Sequence, residues 1–251
     1  LAVPAAAQAS GTVTEFPTPT ADAAPLGITS GPDGAVWFTE HAGAAPKPIG
    51  RIDPAGAITE FATEPGSAPD SITTGADGNL WFTDPGKNQV GRITPAGVYK
   101  GFGGLGLIST HGIASGPDKH LYVVDAGGNQ IVELTPSPDG TTVTGTPIAI
   151  PTAGSNAQQI TAGPDGNMWF TEANTSKVGR VNLSASPKTI TEFDLSPNSG
   201  PRGIAVGPDK KLWVAEADAK KIGRLNPDGT GYQETTTTAT GTSDPEGLVA
   251  G

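Results

Sequence analysis

Chemistry in this sequence concentrates at one recurring position whose residue changes from copy to copy. Gly-x-Asp turns begin at Gly31, Gly75, Gly116, Gly163 and Gly207, and Gly251 stands where a sixth would start. Five residues before these glycines lie Leu26, Asp70, His111, Gln158, Arg202 and Glu246. A residue type shared by every copy is explained by the scaffold, whereas a position that is in turn apolar, acid, imidazole, amide and guanidinium is free to bind and react. Nine residues after the first five glycines an acid always stands: Glu40, Asp84, Asp125, Glu172 and Glu216. A hairpin in which Gly116 faces His120 brings position 111 opposite 125, so each variable residue is expected beside its acid. Arg202 with Glu216 then reads as an ion pair and Gln158 with Glu172 as a hydrogen bond, both orienting or ligand-binding, as are Leu26 and Glu246 at the same level. Asp70 with Asp84 is different, since two carboxylates about 5 Å apart repel unless a proton or a cation separates them. With His111 and Asp125 from the next copy, Asp70, Asp84 and Asp125 are expected to build an oxygen-rich site for Mg²⁺ or Ca²⁺, and solvated acids beside a water-bonded histidine are the alternative.

The elements that must position these residues follow from the period. The turn glycines recur every 41–47 residues, the range of four-stranded propeller blades. A short strand precedes each turn (LGITSG, DSITTG, HGIASG, QQITAG, RGIAVG, EGLVAG), and a second follows it (VWFTE, LWFTD, LYVVD, MWFTE, LWVAE). A third carries Gly50-Arg51, Gly91-Arg92, Gly179-Arg180 or Gly223-Arg224, and a fourth is exemplified by Ile58–Phe61 and Ile190–Phe193. Trp37, Trp81, Trp169 and Trp213 lie six residues after a turn glycine, with Tyr122 in that place in the third copy. Second strands that are apolar almost throughout must be covered on both faces, as stacked blades cover them. The expected fold is therefore an all-β propeller of six, or seven, four-stranded blades, with Thr12–Pro17 supplying a fourth strand that closes the ring. Residues 11–251 form a single domain that stops inside a sixth blade. The turn aspartates and Gly-Arg steps are assigned to the scaffold.

Composition removes other classes. The chain has 251 residues, no cysteine and a net charge of −10, which leaves no disulfide, thiolate metal site or cysteine nucleophile and repels nucleic acid and anionic membranes. With 36 Gly and 24 Pro a helical bundle is ruled out, and no apolar run reaches the roughly 18 residues a membrane span requires. Leu1–Ala9 ends in Ala-x-Ala and reads as the remnant of a secretory signal, which places the chain outside the cell or in the periplasm and cell envelope. The expected partner of this monomer is a small-molecule or peptide-like ligand in the central funnel. Gly101–Gly106 fits G-x-G-x-x-G, but no helix follows, so it reads as a loop between blades. No G-x-S-x-G, HExxH or P-loop is present. His41 and His120 lie in or beside loops and read as solvated.

The unit G-I-T-x-G-P-D-G-x-x-W-F-T-E followed by I/V-G-R-I/V resembles the virginiamycin B (streptogramin) lyase family across residues 11–251, while the third copy, Gly112–Leu134, is similar to an NHL repeat. The lyase resemblance implies metal-assisted elimination that opens a cyclic depsipeptide at its ester, with histidines on inner strands of neighbouring blades and a carboxylate nearby. His111 matches one such histidine and takes the catalytic role of general base. The flanking inner-strand positions hold Asp70 and Gln158 instead of a second histidine, so efficient opening of type B streptogramins is not expected. Two readings stay open: a lyase-type enzyme and a non-catalytic NHL-like binding propeller.

Overall fold

The computed structural model describes residues 14–42, 48–236 and 244–248. Twenty strands form five antiparallel four-stranded sheets, each a simple meander. Blade 1 comprises β1 (Pro25–Ser30), β2 (Val36–Glu40), β3 (Pro48–Ile52) and β4 (Ile58–Ala62), and blade 2 comprises β5 (Ile72–Thr74), β6 (Leu80–Asp84), β7 (Gln89–Ile93) and β8 (Tyr99–Phe102). Blade 3 is built from β9 (Thr110–Ser115), β10 (Leu121–Asp125), β11 (Gln130–Pro136) and β12 (Val143–Ala149). Blade 4 holds β13 (Ala157–Ala162), β14 (Met168–Glu172), β15 (Lys177–Asn182) and β16 (Thr189–Asp194), and blade 5 holds β17 (Pro201–Val206), β18 (Leu212–Glu216), β19 (Lys221–Leu225) and β20 (Gln233–Thr236). No helix among the described residues is long and apolar enough to cross a membrane.

The first strands lie side by side around a central funnel, β1 against β5, β5 against β9, β9 against β13 and β13 against β17. Glycine allows this approach. A Cβ on Gly112 would stand 2.8 Å from the Gln158 carbonyl oxygen, and one on Gly203 would stand 2.5 Å from that of Glu246. The core is consequently a set of layers between blades. Trp81 and Val90 of blade 2 pack with Ile113, Leu121 and Val132 of blade 3, and Tyr122 of blade 3 packs with Ile160, Met168 and Phe170 of blade 4. Each turn aspartate receives the ring donor of the residue four positions on: Asp33 from Trp37 at 3.1 Å, Asp118 from Tyr122 at 2.6 Å and Asp209 from Trp213 at 3.0 Å. The Gly-Arg arginine then lies over the indole, Arg180 at 5.5 Å from Trp169 and Arg51 at 6.0 Å from Trp37.

Three expectations are corrected. Five blades, not six or seven, are present among the described residues, because 244–248 repeats a first strand but has no hairpin partner and joins no ladder. The N-terminal segment does not close a sheet: Thr14–Pro17 belongs to no strand. It nevertheless takes a fourth strand's place against the following blade, since Phe16 covers Gly56 as Phe61 covers Gly97 and Phe193 covers Gly229. Thr20 donates its amide and hydroxyl to Glu60 as Thr152 does to Glu192. Third, the hairpin register slips. Position 121 pairs with 115 and 123 with 113, but a bulge follows and Asp125 faces Thr110 instead of His111. The same irregularity sets Glu40 opposite Pro25, Glu172 opposite Ala157 and Glu216 opposite Pro201. Leu1–Ala9 and Gly251 lie outside the described residues.

Candidate functional site

The bulge separates the two sets of residues that the even spacing had joined. The variable residues turn toward the axis, and the acids turn into the blades. A cavity of about 270 Å³ at the mouth of the funnel is lined by Leu26, Asp70, His111, Gln158, Arg202 and Glu246, with Gly27, Ser71, Gly112, Gln159 and Gly247 below them. The five acids are all fully buried.

A threonine missed in the sequence reading positions the funnel residues. Thr39 of β2 donates its hydroxyl to the Asp70 carbonyl at 2.5 Å, Thr83 of β6 to the His111 carbonyl at 2.7 Å and Thr171 of β14 to the Arg202 carbonyl at 2.7 Å. Each hydroxyl reaches across to the next blade, so the backbone bearing a funnel side chain is fixed by its neighbour. The repeated Thr of the WFT(E/D) strands was the available signal. Val124 and Ala215 interrupt it in blades 3 and 5.

Within the funnel the side chains pair differently from the hairpin expectation. His111 Nδ1 lies 3.5 Å from Asp70 Oδ2, an inter-blade pair with both side chains partly exposed. Arg202 is not paired with Glu216; its Nη1 lies 3.2 Å from Glu246 Oε1 and its Nη2 4.0 Å from Asp218. Gln158 donates to the Asn156 side chain at 3.0 Å instead of to Glu172. An imidazole beside a carboxylate in an open cavity is suited to take a proton from a ligand. The Arg202 guanidinium, on the opposite side of the variable set, is suited to a carboxylate or an ester oxygen.

The expected four-residue cation site does not assemble. Asp84 accepts from the Ala68 amide at 2.8 Å and from Gln89 at 3.2 Å, and Asp125 accepts from the amides of Ile108 and Ser109 at 3.0 and 2.8 Å and from Gln130 at 2.8 Å. Both carboxylates are committed to fastening the loop before their own first strand, and only Asp70 and His111 meet in the funnel. These residues do not fit the oxygen-rich cage expected for Mg²⁺ or Ca²⁺. Glu172 and Glu216, expected to bind ligand, are likewise interior, each pushed up to about 7 chiefly by burial.

The third blade holds the one group of three metal-ligating side chains whose donor atoms lie within 4.8 Å of one another among the described residues: Asp118, His120 and Glu133. Its centre is filled by Lys188 from blade 4, which donates to Glu133, to Asp118 at 3.2 Å and to Tyr122 at 2.8 Å. Glu133 faces Tyr122 where Arg faces Trp in the other blades, and Lys188 restores the lost cation over the ring at 5.3 Å. His120 is thus part of a salt-bridged cluster, not a solvated loop residue.

Comparison with known proteins agrees with this architecture. The family model described as the virginiamycin B lyase family matches residues 5–141 and 108–244. The chain belongs to the virginiamycin B lyase family. A structure of catalytically inactive virginiamycin B lyase from Staphylococcus aureus, carrying a histidine-to-alanine substitution and solved with quinupristin, is 34% identical, with a TM-score of 0.81 over 92% of this chain and 75% of that one. A streptogramin B lyase structure is 30% identical, with a TM-score of 0.84 over 95% and 76% of the two chains. A chain of a nidogen–laminin complex, 15% identical with a TM-score of 0.66 over 90% and 84%, shares the fold alone. No curated protein sequence matches significantly. Among its described lining residues the funnel carries one histidine, His111.

Proposed function

We propose that this chain binds a peptide-like cyclic ester at the funnel mouth and that Asp70 and His111 carry lyase-type elimination on it. The observation that carries the reading is the 3.5 Å approach of Asp70 to His111 in a cavity lined by the one set of positions that varies from blade to blade. His111 accepts the proton next to the ester, the ester carbon–oxygen bond breaks, the electron pair leaves with the new carboxylate, and a carbon–carbon double bond remains. Arg202 faces the developing carboxylate, and Leu26 offers apolar contact. A related enzyme inactivated by losing one histidine supports a histidine-dependent reaction in this fold. With one imidazole among the described funnel residues the reaction is slow, since base and leaving-group roles reinforce one another and are not additive. Incubation of the chain with a type B streptogramin, followed by mass spectrometry, is expected to show slow ring opening that His111→Ala abolishes while binding persists. Opening indifferent to His111→Ala would refute the assignment, and rapid opening lost in that variant would overturn only the expected slowness. Binding with no opening at all would favour the second reading, a binding propeller, for which the engagement of Arg202 by Glu246 is the supporting observation.

A further inference from the structure

The blades also differ at the position that directly follows the variable one. It holds Ser71 ahead of β5 and Gly27, Gly112, Gln159 and Gly203 in the other four blades, so blade 2 alone of the five carries a hydroxyl there. That hydroxyl accepts the Ile113 amide of β9 at 3.3 Å. Two residues earlier on the same strand, the His111 carbonyl accepts the Thr83 hydroxyl at 2.7 Å. His111 is therefore flanked by two bonds from blade 2, one to its own carbonyl and one from the amide two residues on. Ser71 and Thr83 are also joined to each other: the Ser71 amide donates to the Thr83 hydroxyl at 3.1 Å, and the Thr83 amide donates to the Ser71 carbonyl at 3.0 Å. Asp70 is tied into the same unit, its amide donating to the Thr83 carbonyl at 3.0 Å. Both hydroxyl-bearing residues are buried, Thr83 fully, so these bonds are made away from competing water.

This unit joins the backbones of the two residues whose side chains meet in the funnel. His111 Nδ1 and Asp70 Oδ2 stand 3.5 Å apart, longer than an ordinary hydrogen bond, so the side chains do not hold one another and their separation is set by the backbone that carries them. On the reading of Asp70 and His111 as the reacting pair, we propose that Ser71 and Thr83 are positioning residues for His111, and that their two hydroxyls fix its distance from Asp70. The sister blades point the same way. A threonine hydroxyl meets the carbonyls of Asp70, His111 and Arg202, the charged or basic residues given a part in the elimination. Val124 and Ala215 replace it ahead of Gln158 and Glu246, which are given none. The second hydroxyl, that of Ser71, is directed at the His111 strand alone. A misplacement of about 1 Å can cost a reaction on the order of a hundredfold in rate, so a base whose backbone is held on both sides keeps a rate that a loosely held one loses.

The test compares the unsubstituted chain with Thr83→Ser, which keeps the hydroxyl, and with the double variant Ser71→Ala, Thr83→Val, which removes both. Glycine stands in the place of Ser71 in three sister blades and Val124 in the place of Thr83 in blade 3, so the double variant is compatible with the fold. Its crystal structure is expected to show a wider separation of Asp70 and His111, or the imidazole in more than one conformer, while Thr83→Ser matches the unsubstituted chain. With a type B streptogramin, well below the melting temperature of each variant, kcat should fall about tenfold or more in the double variant with KM changed less than about twofold, and Thr83→Ser should retain kcat. A role confined to stability would lower the melting temperature and leave both the separation and kcat where they were. An unchanged separation and a single unchanged conformer in the double variant would overturn the assignment, as would an equal loss of kcat in Thr83→Ser. If the unsubstituted chain opens no streptogramin, the reading of Asp70 and His111 as the reacting pair fails, and the crystallographic comparison by itself decides whether the two hydroxyls place His111.

Discussion

Single side chains set the pH response of this molecule. Glu172 and Glu216 are buried, and burial holds each at about 7 in the folded chain, above the ordinary value of 4.5. A raised acid binds its proton more tightly when folded, so its stabilising effect is complete below about pH 4.5 and is lost as pH rises through 7. The melting temperature is therefore expected to fall between pH 5 and pH 8. Glu172→Gln should flatten that slope and, at pH 8, recover on the order of 1 kcal/mol; a slope unchanged in the variant would contradict the burial argument. The funnel residues themselves were legible in the sequence, because a position that varies within a strict repeat declares itself. Their partners were not. Counting residues on each side of a turn gives the same answer with or without a bulge, so the sequence placed Asp84 beside Asp70 where the structure places His111. Lys188 was invisible for another reason: it reaches Tyr122 from 66 residues away in the chain.

At the level of the strand, the tryptophan register was readable and its energetic consequence is testable. Trp81 is fully buried, stacks on Phe102 at 5.4 Å and donates to Asp77 at 3.1 Å. Trp81→Ala is expected to cost about 3 to 5 kcal/mol in denaturant unfolding through lost burial and the cavity left behind. A cost below about 1 kcal/mol would mean that the second strands are not the packed middle of the blades. The inner strands offer a sharper contrast. Ile72, Ile113, Ile160 and Ile204 occupy one register position and are 4–6% exposed, because each is covered by the preceding blade, whereas Ile28 at the same position of β1 is 70% exposed. Ile113→Ala should cost about 2 to 5 kcal/mol and Ile28→Ala less than about 0.5 kcal/mol. Equal losses in thermal or chemical unfolding would show that β1 is covered in solution.

Taken whole, the molecule is a stack of near-identical blades whose individuality among the described residues lies in the funnel and in the Lys188 cluster. The period made the propeller legible, but extending it to six or seven blades went beyond the five complete sheets among the described residues, where 244–248 repeats a first-strand sequence and joins no sheet. The net charge of −10 is spread over turns and interior acids, and it favours neutral or cationic ligands approaching the mouth. The central claim is that the variable inner-strand positions, not the shared turns, form the ligand site. It is tested most directly by isothermal titration of a type B streptogramin into the chain and into two variants, the funnel double substitution Asp70→Ala with Arg202→Ala and the turn substitution Lys210→Ala. Saturable binding that the funnel pair weakens at least tenfold and Lys210→Ala leaves unchanged is the expected result; binding that the funnel pair does not alter, or no binding to the unsubstituted chain, would contradict it.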